Sequence, residues 1–133
     1  MNVRRDEAGL VGKMIVVWLL VLAILAVAAI DAASIAFTTY KLSDVGSAAA
    51  SEGALVYKKG HNVRETCQRV ERVVAKEEAT ATIARGGCSI ERPTGLVTVK
   101  IRKHANTLVA QRLPWTKKFA VVVVTETAGP PSL

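Results

Sequence analysis

The sequence predicts an α+β fold: one long N-terminal transmembrane helix extended beyond the membrane, a second amphipathic helix, and a small antiparallel sheet of about three strands. Three observations carry the prediction. The run MIVVWLLVLAILAVAAI from Met14 to Ile30 holds no charged residue. Apolar residues recur at three- and four-residue steps from Leu42 to Val56 and again from Val63 to Val74. Near the C-terminus, LVTVKIRK alternates apolar and polar residues and FAVVVVTET is rich in β-branched ones.

The first element is fixed by length. A hydrocarbon core of about 30 Å takes about 20 helical residues, so a helix entering near Met14 leaves near Ala33, and residues 14–37 are assigned to the span. Arg4, Arg5 and Lys13 precede it, whereas Lys41 is the first basic residue after it and Lys58 the next. Basic flanks stay in the cytoplasm, so residues 1–13 are expected inside and residues 38–127 form an extracytoplasmic domain. A cleaved secretory signal is the competing reading, with Ala26, Ala28 and Ala29 as its small-residue cleavage zone.

The helix has no reason to stop at the membrane, because no proline or loop cluster occurs between Phe37 and Tyr57. Leu42, Val45, Ala49, Gly53 and Val56 make a narrow apolar stripe suited to packing on the domain or on a neighbour. From Met14 to Tyr57 the helix would measure about 65 Å. Gly46 and Gly53 weaken an isolated helix but allow close approach of another element. Gly60 is the expected left-handed terminator. A second helix is predicted from Asn62, its cap, to Lys76, with Val63, Cys67, Val70 and Val74 on one face and charges on the other.

In an oxidising compartment an isolated cysteine pair reads as a disulfide, here Cys67 with Cys88. That bond limits the second helix. Continued to Arg85, it would carry the chain about 27 Å past Cys67, of which three more residues recover only about 10 Å. A turn near Glu77 and Glu78 and an extended return through TATIA satisfy both ends. Strands follow at Leu96–Arg102 and Phe119–Thr125. Between them NTLVAQRLPWTKK reads as a short helical turn or broad loop, and the tail AGPPSL, residues 128–133, as disordered.

Function classes narrow by exclusion. His61 and His104 stand without companion ligands at metal spacing, no Ser or Cys has a base context, and no glycine loop cradles phosphate. No catalytic residue, cofactor or metal is expected, and the protein is read as a non-enzyme. From Thr38 onward 15 Lys and Arg face 8 Asp and Glu, which attracts anionic polymers or headgroups. The charges are dispersed, so specific nucleic-acid binding is not expected.

The opening RRDEAG (Arg4 to Gly9), the apolar segment ending at Asp31, the run GSAAASEGA (Gly46 to Ala54) and the segments LVTVKI, NTLVAQRL and FAVVVVTETA occur in an order that resembles the TadE/TadG-like proteins of bacterial Tad (Flp) pilus assembly. Positions five after Gly9 and Gly12 hold Met14 and Val17, where many pilin-type signals pair glycine with glutamate. The resemblance implies a minor pilin-like or assembly subunit in the bacterial cytoplasmic membrane, with other pilus or secretion-system subunits, or its own copies, as partners. A stand-alone membrane-anchored envelope binding module is the alternative. Two groups are candidate sites. Asp31, at the edge of the span, either pairs with a neighbouring subunit or is hydrated among headgroups. Leu108, Val109, Leu113 and Trp115, beside Lys117 and Lys118, either enter the membrane interface or bury against the sheet.

Overall fold

The computed structural model describes residues 3–130, with side chains from Gly9 onward. The side chains of Arg4 and Arg5 and the tail residues 131–133 lie outside what is described. The elements are α1 (Val3–Gly60), α2 (Val63–Glu77), β1 (Thr82–Glu91), β2 (Leu96–His104) and β3 (Val121–Ala128), with a 3₁₀ turn at Lys117–Ala120. The fold is α+β, with both helices on one face of a three-stranded antiparallel sheet ordered β1-β2-β3.

α1 is one unbroken helix of 58 residues, about 87 Å long. Its N-terminal part is long and apolar enough to cross a membrane, and its side chains there are almost all exposed. Its C-terminal part is the spine of the head. The stripe residues Leu42, Val45, Ala49 and Gly53 are buried, Val56 is half-buried, and Ala50, Ala54 and Tyr57 are buried as well. The buried sector is wider than the stripe because the helix meets two partners, α2 on one side and the sheet on the other. Small residues permit this. A Cβ on Gly53 would lie 2.8 Å from Val70 Cγ2 and 3.3 Å from Val97 Cγ1, and one on Gly46 would lie 2.9 Å from Glu126 Cγ.

The helix ends at Gly60, but the left-handed residue that closes it is the next one, His61. His61 N–H still bonds to Tyr57 O at 2.8 Å, and His61 itself takes the left-handed conformation, φ 51°. A non-glycine residue pays a steric penalty there, and the His61 ring offsets it by packing 5.4 Å from the Tyr57 ring.

α2 starts at the Asn62 cap, whose Oδ1 accepts from Glu65 N–H at 3.2 Å. Its buried face is turned from the expected one: Val63 is exposed, while Thr66, Val70 and Val74 are buried and Cys67 is half-buried. Thr66 is tolerated inside because its hydroxyl donates to Asn62 O at 2.8 Å. The helix ends at Glu77, the chain turns through Ala79 and Thr80, and β1 brings Cys88 to Cys67 with a Cα–Cα distance of 5.9 Å and a formed disulfide.

In β2 the buried Val97, Val99 and Ile101 face the helices. The register with β3 runs from Val97↔Ala128 to His104↔Val121. β3 is therefore shifted from its expected range. Phe119 lies in the 3₁₀ turn, and Ala128 is strand rather than tail, because the ladder stops only where Gly129 and Pro130 follow and Pro130 has no N–H to give. Glu78, buried just past α2, ties three elements together: Lys41 of α1 at 2.8 Å, Lys103 of β2 at 3.0 Å and the Thr80 hydroxyl at 2.8 Å.

Candidate functional site

The segment between β2 and β3 contains no acidic residue and is rich in apolar ones. It leaves the sheet through a closed neck, where Ala105 N–H donates to Ala120 O at 2.7 Å. It then makes one tight turn whose free N–H groups, like those at any helix start, need acceptors. Asp31 supplies them. Its Oδ1 accepts from Leu108 N–H at 2.6 Å, and its Oδ2 from Val109 and Ala110 N–H at 3.0 Å each. The next donor, Gln111 N–H, goes to the Thr107 hydroxyl oxygen at 3.0 Å. One turn of α1 further on, the Ser34 hydroxyl donates to Asn106 O.

Asp31 is thus engaged within its own chain and buried, at 7% exposure. Its hydrogen-bond partners are backbone N–H groups of the loop between β2 and β3. A carboxylate at the end of an apolar segment would be costly without partners, and three backbone donors meet that cost locally.

The same loop carries the other candidates. Leu108 (54% exposed), Val109 (39%) and Trp115 (71%) are exposed, and Leu113 is half-buried. They are not buried against the sheet. Phe119, expected in a strand, joins them at 60% exposure. The spacing Trp115-Thr116-Lys117-Lys118-Phe119, two aromatics flanking two lysines, was the signal for it. Lys118 Nζ lies 5.2 Å from the centre of the Phe119 ring, within cation–π range. The loop's hydrogen bonds are otherwise internal: Thr116 Oγ1 donates to Ala110 O at 2.8 Å, and Lys117 N–H to Leu113 O at 2.9 Å.

Between this loop and α1 runs an apolar groove of about 630 Å³, bounded by Ile24, Val27 and Ala28 on the helix and by Leu113, Trp115 and Phe119 on the loop. Of the remaining sequence candidates, Leu42, Val45, Ala49 and Gly53 of the stripe are buried in the head's own core, while Val56 is half-buried and lines a cleft between α1 and α2. His61 and His104 are exposed, and among the described residues no group of three or more His, Cys, Asp or Glu is placed to hold a metal. The chain matches no family model, no curated protein and no solved structure.

Proposed function

We propose that this protein is a non-enzymatic structural or assembly subunit, minor pilin-like, of a Tad/Flp-type pilus or related secretion machine. In this reading α1 anchors the chain in the bacterial cytoplasmic membrane with its N-terminus inside, and the disulfide-closed head lies outside. The observation that supports it best is the sharing of one helix between the apolar segment and the head core. Residues 14–30 are uncharged and, apart from half-buried Val27, exposed, while Leu42, Val45, Ala49, Ala50 and Ala54 of the same helix lie buried in the head core. With Asp31 bonded to the 108–110 turn, anchor and head form one rigid piece. An enzyme tether has no need of that rigidity, whereas a subunit that must present its head at a set height and angle does. The alternative, a stand-alone membrane-anchored binding module, would use the cleft of about 400 Å³ between α1 and α2, lined by Lys59, Arg69 and Arg72 with Glu52 and Glu65.

Short-range crosslinking of the full chain in its own membranes, with mass spectrometry of the products, tests the proposal. Crosslinks to pilus- or secretion-system subunits, or a defined ladder of copies, are expected. Recovery of monomer alone overturns the assembly reading. Protease added from outside should cut the head but not residues 1–13, and the reverse pattern overturns the orientation.

A further inference from the structure

The groove between α1 and the 108–119 loop lies where the apolar segment meets the head. If α1 crosses the bilayer as proposed above, on which reading this inference rests, Asp31 and Ser34 mark the outer boundary and the groove descends from there. Its helix wall runs from Ala23 to Ile35, and the part below Asp31 measures about 12 Å of helix, most of one leaflet of a hydrocarbon core about 30 Å thick. The lining is almost wholly apolar, and the volume falls within the range of ordinary ligand pockets, about 300–1,000 Å³. At this depth the space faces acyl chains rather than water.

Charge selects among lipids. From Ala105 to Ala120 the loop carries Arg112, Lys117 and Lys118 and no carboxylate. All three basic side chains are exposed. Asp31, the one carboxylate among the described residues that line the groove, is occupied by three backbone N–H groups. Lys118 stands against Phe119, which itself lines the groove, so a cation is fixed at the groove's edge. We propose that the groove holds an acyl chain of an anionic phospholipid whose headgroup is met by Lys117 and Lys118. The bound lipid completes the contact between loop and helix and makes the seating of the head sensitive to membrane composition.

The two tryptophans, Trp18 and Trp115, permit a direct test. Full-length Trp18→Phe and Trp115→Phe chains are placed in lipid nanodiscs of phosphatidylcholine doped with chain-brominated phosphatidylglycerol or chain-brominated phosphatidylcholine, and fluorescence quenching is titrated. Trp115 should be quenched saturably at low mole fractions of the anionic lipid, and only in proportion to bulk content by the neutral one. Trp18 should be quenched by both lipids alike. Lys117→Gln with Lys118→Gln should raise the half-saturating mole fraction at least about tenfold, since each basic residue near an anionic surface contributes about 1 kcal/mol. Ala28→Phe, which fills the groove and leaves both lysines, should abolish the saturable component.

Quenching of Trp18 with no lipid preference at Trp115 overturns the proposal and leaves the membrane reading standing. Unquenched Trp18 removes both. A preference that survives Ala28→Phe places the lipid on the lysines alone and overturns the groove. Trp115 shielded from both lipids in a crosslinkable dimer overturns it in favour of a second copy.

Discussion

Acidification should loosen the head at one carboxylate, Glu78. The hydrogen bond from Lys41, then those from Thr80 and Lys103, hold its carboxyl well below the ordinary value of 4.5, at about 2, against the opposing effect of burial. A group whose pKa is depressed on folding stabilises the fold fully above its unfolded value, and the contribution disappears as pH falls through the folded one. At neutral pH a depression from 4.5 to about 2 corresponds to about 3 kcal/mol. Little is lost above about pH 5; about 2 kcal/mol has gone by pH 3, and most of the rest is lost by pH 2. Hydrogen exchange of the full chain in detergent micelles reads this directly. The core amides of Val97, Val99 and Ile101 should exchange through head opening, and opening should become about thirtyfold more frequent between pH 6 and pH 3 after correction for the chemical exchange rate. Glu78→Gln provides the comparison, because it removes the titrating group and keeps the shape. It should be less protected than the native chain at pH 6, and the difference should close by pH 2. If the two chains show the same pH slope, Glu78 is not the group responsible and the ion-pair argument fails.

Asp31→Ala should leave membrane association intact while the amides of Leu108, Val109 and Ala110 lose protection at least tenfold, since their acceptor is gone; Asp31→Asn, which keeps one oxygen, should fall between, and unchanged exchange in both would exclude the clamp. Gly53→Ala gains about 1 kcal/mol of helix preference but sets its methyl 2.8 Å from the stiff, buried Val70, an overpacking cost of about 1–3 kcal/mol, so thermal unfolding of the head should shift down or stay level. Gly46→Ala meets Cγ and Cβ of Glu126 instead, at 2.9 and 3.3 Å, on an unbranched, half-buried side chain rather than a fully buried valine, and should be the better tolerated of the two, a ranking that the paired melting temperatures check. Cys67→Ser opens a loop closed over 21 residues and should cost the head about 3 kcal/mol, measured by denaturant titration with and without reductant; equal midpoints would show that the bond contributes nothing.

Most of the fold was legible because it rests on local patterns. An uncharged stretch without proline gives a helix, LVTVKIRK gives a half-buried strand, and the cysteine pair forbids a long second helix. The misplacements share a cause, namely contacts made by residues distant in sequence. Thr66 replaces Val63 in the core because α2 rolls to seat Val70 against Gly53. His61 rather than Gly60 takes the left-handed turn because the Tyr57 ring is there to support it. Phe119 leaves the strand for the groove because the neck bond between Ala105 and Ala120 closes the loop just after it. Periodicity is blind to all three.

The same limit explains Asp31. An aspartate at the end of an apolar run points to a partner, and any partner in lipid or in a neighbouring subunit fits the sequence equally well. Its actual acceptor role spans 77 to 79 positions, to backbone N–H groups that carry no side-chain signature at all. What those bonds accomplish follows from the helix. Because α1 is continuous, the height of the 108–119 loop along it is fixed at Asp31, and the sheet is fixed along the same axis by Leu42 to Ala54. Every shift of the apolar segment along its axis, about 1.5 Å per residue, therefore moves Trp115, Phe119 and their lysines by the same amount. In the membrane arrangement proposed above, the loop and the span cannot choose their depths separately. The aromatic and basic side chains of the loop set the level at which the whole rigid piece sits, and the carboxylate between them is what transmits that setting to the helix.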